Sequence, residues 1–262
     1  MRRIHLQTQS ASHLIYPDAA GLARAAAVHF VDLAAQAIEA RGRFTVALSG
    51  GSTPRAAYSL LANAEFAPRV DWPHVHIFWG DERADKQHPV DKQHPADKQH
   101  PFVPPDHPGS NYRMARETLL DKISIPAHNV HRIRSELPPD QASAAYQAEL
   151  EAVLGVGGRF DLILLGMGAD GHTASLFPGT AALKERERLV VAVYVERLDA
   201  WRVTLTLPVI NEARQVTFLV SGASKAAALA RVRNGDPLPA GLVRPTEGEL
   251  TWIVDQDALK AS

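Results

Sequence analysis

The sequence predicts an α/β fold: a mainly parallel, doubly wound sheet with helices on both faces, Rossmann-like, plus a small antiparallel element. Three observations predict it. Short apolar runs alternate with longer segments of helical period. Several runs stop at glycine-bearing turns, Ser49-Gly50-Gly51, Gly80 and Gly166-Met167-Gly168. The carboxyl ends of buried strands are where open α/β sheets take their ligands. Two strand-like runs, 190–195 and 202–207, follow each other with no long helix between them, which calls for local antiparallel pairing.

In chain order, Asp18 caps a helix running to about Arg41, with Leu22, Ala26, Phe30, Leu33 and Ala37 recurring at helical spacing on its buried face. Strand 44–48 leads into Ser49–Pro54. There Thr53 is read as the N-cap and Pro54 as the first residue of a helix over about 54–62. Strand 75–79 ends at Gly80-Asp81-Glu82-Arg83. Helices are expected at 112–122, 139–154 and 224–233, and strands at 130–133, 160–165, 216–220 and 251–254. After strand 160–165 the Asp170–His172 turn is expected to enter a short helix. No linker divides the chain, so residues 1–262 are read as one domain.

Residues 85–102 break the pattern. They read Asp-Lys-Gln-His-Pro-Val, Asp-Lys-Gln-His-Pro-Ala, Asp-Lys-Gln-His-Pro-Phe. Each unit carries a proline and almost no apolar content, so it cannot build a core and is expected to form a mobile surface loop. His88, His94 and His100 with Asp85, Asp91 and Asp97 supply metal-ligand types, but a spacing of six in a proline-broken segment fixes no coordination geometry.

Composition excludes several classes. The 262 residues carry 45% apolar and 22% charged side chains and a formal net charge of −1. That balance leaves no electrostatic footprint for nucleic acid or an anionic membrane. With no cysteine, thiol catalysis and disulfides are ruled out. No apolar run reaches membrane-spanning length, and the basic N-terminus lacks an apolar stretch behind it, so a cytoplasmic protein is expected.

Four strand-end segments carry chemistry. Gly50, Gly51, Ser52 and Thr53 open a helix, whose free N–H groups and dipole favour an anion. No Walker A lysine follows, so a single phosphate is the economical ligand. The same residues also make an ordinary capped turn. Asp81, Glu82 and Arg83 line a cleft or form a solvated turn, and arginine's planar donor fork suits a phosphate or an oxyanion. Lys225, after Gly222-Ala223-Ser224, reaches a phosphate at the same edge or is a surface lysine, and Arg202 beside Trp201 is a weaker candidate of the same type. Asp170-Gly171-His172 brings a titratable pair to a turn. A helix N-terminus would keep the imidazole neutral, whereas the carboxylate would favour its charge while orienting the ring.

These segments, with Val103-Pro104-Pro105-Asp106-His107-Pro108, Ser110-Asn111-Tyr112 and Arg244-Pro245-Thr246, occur in an order that resembles the 6-phosphogluconolactonase branch of the glucosamine-6-phosphate deaminase and 6-phosphogluconolactonase family. The resemblance spans nearly the whole chain. It implies hydrolysis of a phosphorylated sugar lactone in the oxidative pentose phosphate pathway, with no metal or organic cofactor, by a monomer or small homo-oligomer. On that basis His172 is the base that deprotonates water, Asp170 orients it, and Arg83 supplies positive charge. Gly50, Gly51, Ser52, Thr53, Asp81, Asn111, Arg202 and Lys225 hold the substrate and its phosphate.

The family pattern runs unbroken once residues 85–102 are removed, which marks them as a tandem expansion that the fold is expected to tolerate. Two rival readings remain. A glucosamine-6-phosphate deaminase carries a Glu after its histidine motif for acid–base work, where this chain has Leu176-Phe177-Pro178, and a Phe carries no proton. A non-catalytic sugar-phosphate sensor needs no Asp170–His172 pair, and no recognition helix is evident.

Overall fold

The computed structural model describes residues 11–84, 103–155 and 157–260. The repeat at 85–102, expected to be a mobile loop, lies outside the described residues.

Six strands form a parallel sheet: β1 (Ser12–Tyr16), β2 (Phe44–Leu48), β3 (Val75–Trp79), β5 (Leu162–Leu165), β8 (Gln215–Val220) and β9 (Glu249–Asp255). Their spatial order is β1-β9-β8-β5-β2-β3. The chain steps from β2 outward to β3 on one side, then returns beyond β2 to β5 and proceeds through β8 to β9 on the other. The direction therefore reverses between β2 and β5, whose carboxyl ends flank the switch point where such sheets open a crevice. β2, β5 and β8 are buried along their whole length, as central parallel strands covered on both faces must be.

A buried carboxylate fixes the register at the switch point. Asp161, just before β5, accepts from the Thr45 backbone N–H at 2.8 Å and the Thr45 hydroxyl at 2.9 Å. Its other oxygen pairs with Arg41 at 2.8 Å.

A second sheet is antiparallel, in the order β4 (Asp81–Arg83), β7 (Ala200–Leu205), β6 (Val190–Val195). In it Arg83 lies directly opposite Arg202. The helices are α1 (Ala19–Arg41), α2 (Ser52–Leu61), α3 (Asn111–Thr118), α4 (Pro139–Leu154), α5 (Leu207–Glu212) and α6 (Ala226–Arg233). Helix α1 packs on α2 and against β2 and β9, while α4 packs on the small sheet. Asp18 caps α1 by accepting from the Gly21 N–H, and Gly42 closes it in the left-handed conformation. Among the described residues no helix is long and apolar enough to cross a membrane.

Three expectations are corrected, and a fourth stretch resolves between two readings. Helix α2 begins at Ser52 with Gly51 (φ 108) as its N-cap, so Thr53 and Pro54 lie inside the first turn. The expected strand 130–133 contributes only an isolated bridge, Val130 to Ile77, because the chain enters it from a one-turn helix at 127–129 and turns away again. No helix follows His172: Gly171 (φ 79) and Ala174 (φ 47) are left-handed, which breaks helical geometry. The stretch Asp81–Arg83, read as lining a cleft or as a solvated turn, is a strand, and Asp81 and Arg83 line the cavity.

Candidate active site

Two buried tyrosines fix where the site's loops leave the large sheet. The Tyr58 hydroxyl accepts from the Ser49 N–H and donates to the Ser49 carbonyl, both at 3.0 Å. At the next strand the Tyr146 hydroxyl does the same for Trp79, at 2.8 and 2.9 Å. Burial raises both phenols far above the ordinary range, so each remains a neutral donor and acceptor.

Beyond Ser49 the chain enters α2, whose first turn has no side-chain cap. Its N–H groups therefore face the cavity as an anion site. Gly50 is required by close approach: a Cβ there would fall 2.0 Å from the Asn111 Oδ1. Asn111 in turn donates to the Asp81 carbonyl at 2.9 Å and accepts from Arg83 at 3.2 Å. Arg83 also donates to the Gly109 carbonyl. The Gly50 turn and Arg83 thus both lie against one amide.

Glu82, fully buried, gathers the start of α3. Its carboxylate accepts from the backbone N–H groups of Arg83, Asn111 and Tyr112 and from the Ser110 hydroxyl. Burial nevertheless pushes its carboxyl above the usual range. The Asp81 carboxylate is held by Ser175 at 2.6 Å and by Asn111 at 3.2 Å. Asp81 therefore stands in the wall of the site as a strut between β4 and the turn after β5.

That turn is closed on itself. The Gly168 N–H donates to the His172 carbonyl at 2.8 Å, and the Thr173 hydroxyl to the Gly166 carbonyl at 2.8 Å. A Cβ on Gly168 would sit 2.0 Å from His172 Nδ1, so only glycine admits the ring. His172 Nδ1 and Asp170 Oδ1 are 2.5 Å apart. An ionised carboxylate can only accept, so Nδ1 carries the proton and Nε2 is left as the basic nitrogen. Burial pushes the Asp170 carboxyl up, but the hydrogen bond from His172, with the charges of His172 and Arg197, outweighs it and holds the group below its ordinary value. The Phe177 ring stacks on His172 with centroids 4.1 Å apart.

All eleven residues singled out in the sequence except Asp170 line one cavity of about 420 Å³, and Asp170 sits directly behind His172. Ser49, Phe177 and Arg197 line it too, and the sequence reading did not select them as site residues. Arg202 is 8% exposed, and its Nε has no hydrogen-bond partner. Desolvation, then the neighbouring Arg83 charge, lowers it to about 10, so it is still cationic at neutral pH. The Ser49 hydroxyl is likewise buried without a partner. Two arginines side by side across a strand pair repel each other. With an orphaned guanidinium N–H and an orphaned hydroxyl beside them, they form a site that an anion would complete. Among the described residues no group of three or more His, Asp or Glu is arranged to hold a metal.

Comparison with known proteins agrees with this architecture. The family described as glucosamine-6-phosphate isomerases/6-phosphogluconolactonase matches residues 17–100 and 99–252. A 6-phosphogluconolactonase of Synechocystis is 42% identical over 233 residues, covering 85% of this chain and 86% of that protein. One of Haemophilus influenzae is 36% identical, covering 82% and 86%. The crystal structure of 6-phosphogluconolactonase from Thermotoga maritima superposes with a TM-score of 0.78 at 28% identity, covering 94% of this chain and all of that one. The Trypanosoma brucei enzyme gives 0.79 at 27%, covering 95% and 98%. A monomeric glucosamine-6-phosphate deaminase, at 19% identity and a TM-score of 0.74, shares the fold. By the extent of the family match and the identity to its curated members, this chain belongs to the glucosamine-6-phosphate isomerase/6-phosphogluconolactonase family.

Proposed function

We propose that the chain hydrolyses 6-phospho-D-glucono-1,5-lactone to 6-phospho-D-gluconate, the lactonase step of the oxidative pentose phosphate pathway. The observation that carries this reading is His172, backed by Asp170, facing the same cavity as the α2 N-terminus and the arginine pair. In this reading the phosphate rests on the Gly50–Thr53 backbone with Lys225 beside it. His172 Nε2 takes a proton from water as the oxygen attacks the lactone carbonyl. The tetrahedral oxyanion is stabilised by the arginine pair, Arg83 and Arg202. The imidazolium then returns its proton to the departing ring oxygen, and the ester bond opens to a hydroxyl and a carboxylic acid, which loses its proton to solvent to give the carboxylate. Asp170 keeps the ring in the tautomer that leaves Nε2 free. Asn111 and Asp81 hold Arg83 and the histidine turn rather than the phosphate.

Phe177 favours hydrolysis over deamination. It covers one face of His172 and offers no acid to an isomerisation. The chain works as one unit in the cytoplasm on a small-molecule substrate, with neither nucleic acid nor membrane as partner. The test is hydrolysis of freshly prepared 6-phosphogluconolactone above its spontaneous rate. His172→Ala is expected to lower kcat by roughly 10²–10⁴-fold with little change in KM. Equal rates for wild type and variant would sink the mechanism, and ammonia release from glucosamine 6-phosphate would support the deaminase instead.

A further inference from the structure

The β6–β7 hairpin brings a cation onto the histidine turn that no sequence motif contains. Arg197 sits in the one-turn helix Glu196–Leu198 at the hairpin tip, and Asp199 (φ 47) turns the chain back into β7. Its Nη2 lies 2.7 Å from Asp170 Oδ2, an ion pair whose angle is not that of a hydrogen bond. The same nitrogen is 3.5 Å from His172 Nδ1. Its guanidinium carbon stands 4.6 Å from the centre of the Phe177 ring, and that ring stacks on His172. Asp170, His172, Phe177 and Arg197 therefore form a closed circuit in which each side chain touches at least two of the others.

We propose that Arg197 is a positioning residue for the Asp170–His172 pair, and that its charge sets the pH below which His172 ceases to act as a base. This rests on the reading of His172 as the base. Two effects follow from the geometry. Arg197 draws on Oδ2 while Oδ1 meets Nδ1, so the carboxylate is fixed from both sides and the ring with it. A carboxylate alone favours the protonated imidazole; a guanidinium beside the same ring opposes that charge. Without Arg197 the ring would hold its proton to higher pH, where it cannot accept another from water. Asp81 and Arg83 from β4, Arg202 from β7 and Lys225 from the approach to α6 line the cavity that His172 faces. Among the described residues, Asp170 and Arg197 are the charged groups in contact with the imidazole. Phe177 supplies the plate on which the guanidinium rests.

The experiment follows kcat/KM against pH on freshly prepared 6-phosphogluconolactone, less the spontaneous rate, for wild type, Arg197→Met, Arg197→Lys and His172→Ala. The His172 imidazole is titrated by NMR in the first three, and thermal melts check folding. Arg197→Met is expected to move the acid limb and the imidazole titration upward by about half to one pH unit, a small share of the bare Coulomb energy because the guanidinium is half exposed. Arg197→Lys is expected to keep both near wild type. An acid limb and imidazole titration unmoved in Arg197→Met, with His172→Ala inactive, would overturn the inference and leave His172 as base. Equal movement in the Met and Lys variants would overturn the role of charge. Full activity in His172→Ala would instead overturn the reading on which the inference rests.

Discussion

The six-stranded sheet meets the cavity with the loops that leave its strands, whereas the three-stranded sheet meets it with side chains of the strands themselves and of one hairpin tip. From the large sheet come backbone N–H groups, two tight glycine approaches and the histidine turn. From the small sheet come Arg83 and Arg202, facing each other in register, and Arg197 at the end of β6. The difference is physical. Parallel strands with both faces buried have no room for charge, so their chemistry is displaced to their carboxyl ends. A three-stranded sheet with one face toward a cavity can carry arginines in mid-strand. The two meet through few groups: Ser175 bonds to Asp81 and to Thr204, and Asn111 accepts from Arg83 while packing against Gly50.

The sharpest way to separate the two contributions is Arg202→Met. The arginine is buried, opposed by a like charge and incompletely paired, so its removal is expected to lower kcat and kcat/KM about a hundredfold in steady-state hydrolysis. Without substrate the variant should melt no lower than wild type, and up to a few degrees higher, because a desolvated repulsion is gone. A steep fall in melting temperature would mean that Arg202 holds the sheet together rather than the ligand.

A smaller effect tests the joint between the sheets. Gly50→Ala pushes Asn111 away and releases Arg83, which is expected to cost roughly tenfold in kcat/KM with little loss of stability. An unchanged KM and kcat would show the amide to be dispensable.

The mildest change lies behind Lys225. Asp255 accepts from the Ser221 hydroxyl and from the Gly222 and Ala258 N–H groups. Burial raises its carboxyl, but the Ser221 and backbone hydrogen bonds outweigh this and lower it below its ordinary value. A depressed folded pKa gives stability above the unfolded value, lost as pH falls through the folded one. Asp255→Asn is therefore expected to cost about 1 kcal/mol near neutrality, with the gap to wild type closing below about pH 4. Melts across that range check it, and a gap that persists in acid would show that packing, not charge, is responsible.

Much of this division is legible in the sequence, and unevenly so. β2, β3 and β6 are recovered to the residue because each is a compact run of apolar or branched side chains. The cavity residues are legible because glycines at strand ends mark them. β4 is not, since Asp-Glu-Arg carries the pattern of a solvated turn; only the pairing with β7 makes it a strand. β1 is missed because an edge strand with four exposed residues shows no apolar stripe. Arg197 escapes notice because it lies in an unremarkable charged hairpin, and its meaning comes from where β6 and β7 deliver it. The helix expected after His172 fails because Ala174, a non-glycine, is held left-handed where the turn is pinned to Asp81 and Thr204 through Ser175.

The residues on either side of the repeat are moored by residues outside it. Ala84 is buried and its N–H donates to the Trp201 carbonyl in β7; Val103 is buried and its carbonyl accepts from Ser135. Arg83, one residue upstream, is held by Gly109 and Asn111 from the far side of the insertion. Because these anchors are made with residues outside 85–102, a variant lacking those residues is expected to keep Arg83 on Gly109 and Asn111, which its kcat/KM checks.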